Sequence, residues 1–349
     1  PSSDTPLLIG RDIEAYNDHP WLRGDIADLR LWNIARTQPQ IAAAKDSTLA
    51  GNEAGLKLNL KLNEGAGSIL QDGTAGDHDG QIKPIAPDAV IGQIDQPGQI
   101  NRYTFTLTEA QQLLFDSFFE GNDVFFWSLT GPRGQVVASR DFYDSDDGHF
   151  SGTPVLDLVA GNYEFTVDGQ GGSLGRYAFR LLALANAQTI VLGTAVAGQL
   201  NPASETDLYR FNAQAGDRIF FDRTTLTGGS ATWRLLDPFG RRVVGPIAPN
   251  DVDTLKLDFT GAYTLLFEGR VYDDGAINYG FTLHKVIDDS AALTIGSAVT
   301  GNLSQPGQVD RYAFALTQAR QVVFDSLTNN SNFNWTLTGP LGTLISGRQ

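Results

Sequence analysis

The chain has 349 residues, no Cys and no Met, a formal net charge of −15 and a pI of about 4.6. The missing thiols exclude disulfides, thiolate metal sites and Cys nucleophiles, and the acidic balance argues against a nucleic-acid partner, because neutralising phosphates requires clustered Lys and Arg. No apolar run approaches the ~20 residues that span a bilayer, no leader pattern opens the chain, and at ~100–200 residues per domain the length holds two to four domains.

Gly is abundant at 38 residues and aromatic residues make up 10% of the chain. Short Thr/Val/Phe/Tyr/Leu runs are punctuated by Gly, Pro, Asn and Asp, which predicts an all-β chain of tandem β-sandwich domains in a string. The absence of both sulfur residues fits an exposed, oxidising environment, where thiols and thioethers are liabilities; composition drift in a β-rich repeat explains it equally well.

From the start, an apolar run at 7–9 and a polar loop lead to Trp21 and a stretch from Gly24 to Asn33. There Leu29, Leu31 and Asn33 fall on one face and Asp28, Arg30 and Trp32 on the other, a strand with a bulge. Thr37 followed by Pro39 and Gln40 is a helix-start signal, continued by Ile41 to Lys45. Gly51 and Asn52 break the helix. Leu56, Leu58, Leu60 and Leu62 then alternate with Lys57, Asn59 and Lys61, giving a half-buried strand closed by a turn at 64–67.

The next stretch repeats. Arg102, Tyr103, Phe105, Leu107, a strand at 113–116, Trp127, Leu129, Gly131, Pro132 and Gly134 are restated by Tyr209, Phe211, Phe221, Asp222, Trp233, Leu235, Pro238 and Gly240. They are restated again by Tyr312, Phe314, Phe324, Asp325, Trp335, Leu337, Pro340 and Gly342, at a period of roughly 105 residues. Strands are expected at 103–107, 124–129, 136–139, 155–159, 163–167 and 177–182, seven or eight per full repeat, with turns at 131–134 and at Ala160-Gly161-Asn162. The expected boundaries are 1–88, 89–187, 188–287 and 288–349. The third repeat stops after its Gly-Pro-x-Gly turn, so its later strands belong either to a longer polypeptide from which this segment comes or to another chain. The connections near 84–88, 184–188 and 286–292 are short and lack Gly/Ser composition, which predicts a semi-rigid string.

Two stretches resemble known families. Gly24-Asp25-Ile26-Ala27-Asp28-Leu29-Arg30-Leu31-Trp32-Asn33, the short helix, Gly55-Leu56 and Asn63-Glu64-Gly65-Ala66-Gly67 resemble the closing part of a laminin-G-like, concanavalin A-type jelly roll of bacterial surface proteins. The family's usual acid is replaced by Ala27 and its usual aromatic pair by Leu58-Asn59. Asp207-Leu208-Tyr209-Arg210-Phe211, Ala215-Gly216, Pro238-Phe239-Gly240 and Gly261-Ala262-Tyr263 resemble the bacterial pre-peptidase C-terminal domain, as does Ala160-Gly161-Asn162-Tyr163 of the first repeat. The resemblance implies modules appended to secreted proteins, with any enzyme elsewhere in the parent chain.

No catalytic set emerges. His19, His78, His149 and His284 occupy unrelated places, and no Ser/His/Asp order, metal-binding helix or phosphate loop accompanies them. Calcium is the one cofactor the residues suggest: it takes six to eight oxygens, and Asp141, Asp144, Asp146 and Asp147 share one loop, with smaller groups at Asp72, Asp77 and Asp79 and at Asp273 and Asp274. A solvated polar loop is the competing reading. Trp127, Trp233 and Trp335, each two residues from a Leu, read as core, Trp21 as a better candidate for exposure, and Asp116, Asp222 and Asp325 as strand-ending turn residues.

The expectation is thus a non-catalytic structural or adhesive segment of a large secreted or cell-surface bacterial protein, a stalk or a component of an extracellular layer or filament. Its partners would be flanking domains of a longer polypeptide, surface glycans or copies of itself, with no nucleic acid and no membrane-spanning segment. A carbohydrate-binding module region and accessory domains of a secreted hydrolase are the alternatives.

Overall fold

The computed structural model describes residues 26–63, 69–76, 78–81, 86, 88–118, 125–142, 145, 155–270, 273 and 275–348. By its internal contacts the chain forms two compact units, residues 1–287 with 304–308, and residues 288–303 with 309–349. No helix among the described residues is long and apolar enough to cross a membrane.

The first unit begins with β1 (Leu29–Trp32), α1 (Gln38–Ala44), β2 (Leu56–Leu60), β3 (Ile69–Leu70) and β4 (Gly80–Gln81). β1 pairs antiparallel with β2, and the register slips between Leu31 and Trp32, where a bulge was expected. Of the two faces of β1, the one carrying Arg30 is the more covered: Leu31 is 43% exposed, while the Arg30 side chain turns inward and donates to the carbonyls of Ala44 at 2.5 Å and Ser47 at 2.6 Å. Ala44 is the last residue of α1 and Ser47 lies just beyond it, where intrahelical bonds leave carbonyls open. Pro39 and the Gln40 side chain start α1 as the residues predict, the Gln40 amide oxygen accepting the Thr37 N–H at 2.9 Å. Leu56, Leu58 and Leu60 are buried, as alternation requires, but so is Asn59.

Two sandwiches with the same topology follow. The first is built from β5 (Val90–Ile94), β6 (Ile100–Leu107), β7 (Gln111–Ser117), β8 (Phe125–Gly131), β9 (Gly134–Asp141), β10 (Val155–Leu158), β11 (Gly161–Gly169) and β12 (Gly175–Ala183). Its sheets have strand orders β10-β7-β12-β5 and β6-β11-β8-β9. After a parallel edge strand, β13 (Gln188–Thr189), the second is built from β14 (Ala195–Leu200), β15 (Thr206–Ala213), β16 (Arg218–Thr227), β17 (Ala231–Leu236), β18 (Arg242–Ile247), β19 (Val252–Lys256), β20 (Gly261–Gly269) and β21 (Ile277–Val286). Its sheets run β19-β16-β21-β14 and β13-β15-β20-β17-β18, the same order with β13 added. Each sandwich closes over its own apolar core, as two facing half-apolar sheets must. Trp127, Phe165 and Val167 sit in one core and Trp233, Leu265 and Phe281 in the other. Burial of Trp127 and Trp233 follows from their sharing a face with Leu129 and Leu235.

The second unit contains β22 (Ser290–Ala292), parallel to β23 (Arg311–Ala313), and a hairpin of β24 (Trp335–Gly339) and β25 (Gly342–Arg348). Trp335 is only partly buried, unlike its two counterparts.

Candidate functional site: the junction between the two sandwiches

Strand alternation places every second side chain of a sheet outside the sandwich it belongs to. On β7, Leu113 and Phe115 enter the first core while Leu114 points the other way; on β20, Leu265 and Phe267 enter the second core while Leu266 points away. These outward side chains meet. Leu114, Leu184, Leu236 and Leu266 form one buried cluster, with Val155, Leu182 and Leu208 packed around it. The contact therefore joins the outer face of the β10-β7-β12-β5 sheet to the outer face of the sheet containing β15, β20 and β17. Gly240 fits the close approach at its edge: a Cβ there would lie 2.9 Å from Gln112 Nε2 and 3.2 Å from Val155 Cγ1. The Gln112 amide donates across to the Phe239 carbonyl at 3.2 Å.

Beside the leucines lies a polar knot centred on Arg180 of β12. Its Nε donates to Asp116 Oδ2 at 2.6 Å, Nη1 to Asp88 at 3.1 Å, and Nη2 to the Thr206 carbonyl of the second sandwich at 3.1 Å. Glu205 Oε2 stands 3.5 Å from Nη2, and the Thr206 N–H points at Asp116 Oδ2 at 3.4 Å. The Asp116 side chain is 0% exposed, so it is not the strand-ending turn residue expected from sequence but the buried half of an ion pair within β7. Burial lowers the Arg180 pKa, yet Asp116 and Asp88 outweigh it and the net shift is upward. Glu205 is pushed up by burial, opposed by the Asn201 N–H it accepts. On the junction face of the second sandwich, Arg234 and Glu268 pair at 3.0 Å with side chains 0% and 1% exposed.

Each sandwich also carries a stitch between its own sheets. The hydroxyls of Tyr103 on β6 and Tyr177 on β12 meet at 2.7 Å, and Asn101 Nδ2 donates to the Tyr177 oxygen at 2.7 Å. Tyr209 and Tyr279 repeat the arrangement, with Asp207 accepting from the Tyr279 hydroxyl. Burial raises the Tyr177, Tyr209 and Tyr279 pKa values, Tyr209 to about 12, and pushes Asp207 up as well. Gly92 and Gly198 leave room for these rings: a Cβ on Gly92 would lie 2.2 Å from Tyr177 Cζ, and one on Gly198 would lie 2.4 Å from Tyr279 Cζ. In the second unit a Cβ on Gly301 would likewise lie 2.4 Å from the Tyr312 hydroxyl oxygen. The loop that precedes each stitch is capped alike, Gln99 and Glu205 accepting the backbone N–H of Asp95 and Asn201, and Gln308 accepts that of Ser304 in the same way.

Of the four residues expected to hold calcium, Asp141 alone is among the described residues. Asp144, Asp146 and Asp147 lie outside the described residues, as do Asp77, Asp274, Trp21, His19, His149 and the resemblance positions Gly24, Asp25 and 64–67. Asp141 ends β9, and its carbonyl accepts the Ser145 hydroxyl, which in turn accepts the Trp127 indole N–H at 2.8 Å. The start of that loop is thereby tied to the first core. Asp72 accepts N–H groups of Asn59, Thr74 and His78 and the Thr74 hydroxyl; desolvation raises its pKa, but these bonds win and hold it at about 2. Asp273 accepts the Ser230 N–H at 2.9 Å, and Asp222, within β16, lies 3.3 Å from His284 Nε2. Among the described residues no three His, Asp or Glu side chains are arranged to hold a metal ion.

The junction went unread in the sequence, although a signal for it was present. Leu113-Leu114-Phe115 and Leu265-Leu266-Phe267 are unbroken apolar runs where a one-sided strand would alternate, and such runs mean burial on both faces.

Neither a family model nor a curated protein sequence matches the chain. Among solved structures, the CUB1-EGF-CUB2 domain of human MASP-1/3 is 11% identical, the match covering 55% of this chain and 99% of that one with a TM-score of 0.19. The corresponding domains of rat MASP-1 are 9% identical, with 56% and 97% covered and a TM-score of 0.18. At these scores the sheets themselves, and not the neighbours, identify the chain as all-β tandem sandwiches.

Proposed function

We propose that the chain is a non-catalytic structural or adhesive segment of a large secreted or cell-surface bacterial protein, acting as a stalk or as a component of an extracellular layer or filament. In this reading its sandwiches are pre-peptidase C-terminal-like modules that follow the end of a laminin-G-like jelly roll, and its partners are the flanking domains of the same polypeptide. One observation supports it above the others: the sheet-to-sheet junction, with its leucine cluster and the buried Asp116–Arg180 pair. Contacts between domains of one chain are ordinarily polar and permit relative motion unless they are large and apolar. A dry leucine contact flanked by a desolvated ion pair makes two modules respond to load as one body, which suits a spacer.

Single-molecule pulling on the full chain tests this. A load-bearing segment should release both sandwiches in one cooperative event, or release the second immediately after the first. Two independent events at unrelated forces would mean that the modules are merely strung together, and the stalk reading would fail.

A further inference from the structure

One end of the second sandwich carries a group of side chains that its fold does not require. The turn between β17 and β18 presents Phe239, 61% exposed, and the loop before β20 presents Phe259, 38% exposed. The two rings stand edge to face, with centroids 5.4 Å apart and an interplanar angle of 89°. The Arg241 guanidinium lies over both, 4.9 Å from the Phe239 centroid and 4.6 Å from that of Phe259. The first sandwich has Gly131, Arg133 and Gln135 in the places of Asp237, Phe239 and Arg241, and Val159 in the place of Phe259. The tyrosine bond that fixes the second loop is common to both, its hydroxyl donating to the carbonyl of Val159 or Phe259. The group is therefore an addition to the second module, laid over a shared frame.

The guanidinium in this group is aimed. Asp237, whose side chain is 5% exposed, accepts the N–H groups of Phe239 and Arg241 on Oδ1, each at 2.9 Å, and Arg241 Nε on Oδ2 at 2.8 Å. Arg241 Nη2 stands 2.7 Å from the same Oδ2. Nε and Nη2 form one edge of the planar fork, so the other edge, from Nη1 to Nη2, faces away from Asp237 and finds no hydrogen-bond partner among the described residues. The Arg241 side chain stays 57% exposed. A guanidinium anchored along one edge and open along the next is set to take a planar oxyanion with two parallel bonds.

The main chain at this end is already occupied. The Phe239 N–H goes to Asp237 and its carbonyl accepts the Gln112 amide. The Phe259 N–H donates to the Tyr263 hydroxyl at 3.0 Å, and its carbonyl accepts that hydroxyl at 2.9 Å. The Asp237 N–H donates to the Arg241 carbonyl at 2.8 Å. An extended peptide, which is held by main-chain hydrogen bonds, would find none to make with these residues. What remains on offer is two apolar ring faces beside one fixed, doubly donating cation. A pyranose bearing a carboxylate has the complementary parts: a C–H face the size of a phenyl ring and a planar anion at its edge.

We propose that Phe239, Phe259 and Arg241 form a binding site for a uronic acid residue of an acidic polysaccharide, the open edge of Arg241 pairing with the carboxylate and the Phe239 ring covering the C–H face of the sugar. This site goes beyond the load-bearing role assigned to the junction and does not depend on it.

The test titrates the full chain with tetragalacturonate in a calorimeter. The expected result is saturable binding of one oligosaccharide per chain. Its methyl ester, which keeps the sugar rings and removes the charges, should bind roughly tenfold more weakly or worse, as loss of charge-assisted hydrogen bonds requires. Arg241→Lys keeps the charge but not the fork and should also lose roughly tenfold, Phe239→Ala should lose about fivefold, and Arg133→Ala at the corresponding turn of the first sandwich should change nothing. No binding at millimolar tetragalacturonate would overturn the proposal, and so would equal binding of acid and ester to the wild-type chain, a comparison that needs no variant to fold. Wild-type affinity in both Arg241→Lys and Phe239→Ala would overturn it by putting the ligand elsewhere. Equally tight binding of tetraglutamate would overturn it in favour of an acidic peptide.

Discussion

Leu265 and Leu266 are neighbours on β20, both 0% exposed, and they face opposite ways. The same substitution in each therefore separates core from junction. Leu→Ala removes three carbons, worth roughly 2.4 kcal/mol at about 0.8 kcal/mol each, and the residual cavity brings the usual cost to about 2–5 kcal/mol. For Leu265→Ala this loss should fall on the second sandwich alone. For Leu266→Ala the cavity opens between the sandwiches, so both lose support. Denaturant titration followed by segment-resolved hydrogen exchange distinguishes the two. Leu265→Ala should lower protection over 188–286 and spare β7 and β12, whereas Leu266→Ala should lower protection on β7, β12 and β20 together and split a shared unfolding transition into two. If Leu266→Ala leaves β7 and β12 at wild-type protection, the leucine cluster carries no coupling energy and the reasoning is refuted.

The polar knot and the stitches give three more tests. Arg180→Met leaves Asp116 buried without its guanidinium, which should cost about 3–5 kcal/mol; adding Asp116→Leu should recover part of the loss, and strictly additive effects in a urea-melt cycle would show that the pair is uncoupled. Glu205 has a folded pKa above its ordinary value, so its protonated form favours the fold and its contribution to stability declines as pH rises from the usual carboxylate range toward the raised folded value. Glu205→Gln keeps the cap that Gln99 and Gln308 already provide and removes the charge, so its unfolding midpoint at neutral pH should exceed wild type; a lower midpoint would mean that the Arg180 contact outweighs desolvation. Gly198→Ala forces a methyl into the Tyr209–Tyr279 contact and should cost about 1–3 kcal/mol by overpacking, measured by thermal melting against Gly193→Ala, where a Cβ would meet nothing within 4 Å but the positive φ imposes its own strain.

Much of the fold could be read from residue order because strand signals are local. Period-two alternation located β6 and β11 to within a few residues, and Thr37, Pro39 and Gln40 located the helix. The site was harder to read, for a reason of distance along the chain. Tyr103 and Tyr177 are 74 residues apart and their meeting depends on how two sheets face, which no window of sequence contains. The recurrence of Gly92, Gly198 and Gly301 nine positions before Asn101, Asp207 and Asp310 was available as a clue, since a glycine fixed within a strand signals close approach. Asp116 misled because a polar residue after an apolar run resembles a turn. Only the neighbouring strand, bringing Arg180 opposite it, makes burial of that carboxylate tenable.

The short parallel strands β13 and β22 change what the connections between repeats are. Gln188 and Thr189 are hydrogen-bonded into the sheet they introduce, and Ile190 continues the ladder by donating to the Arg210 carbonyl at 2.9 Å; Ser290 to Ala292 repeat this with Leu293 and the Ala313 carbonyl at 2.7 Å. Each connection is thus consumed by the module it enters, and no slack is stored in it. Residues inserted there would disturb a hydrogen-bonded register before they added reach, so a lineage that needed a longer molecule would gain length by duplicating whole modules.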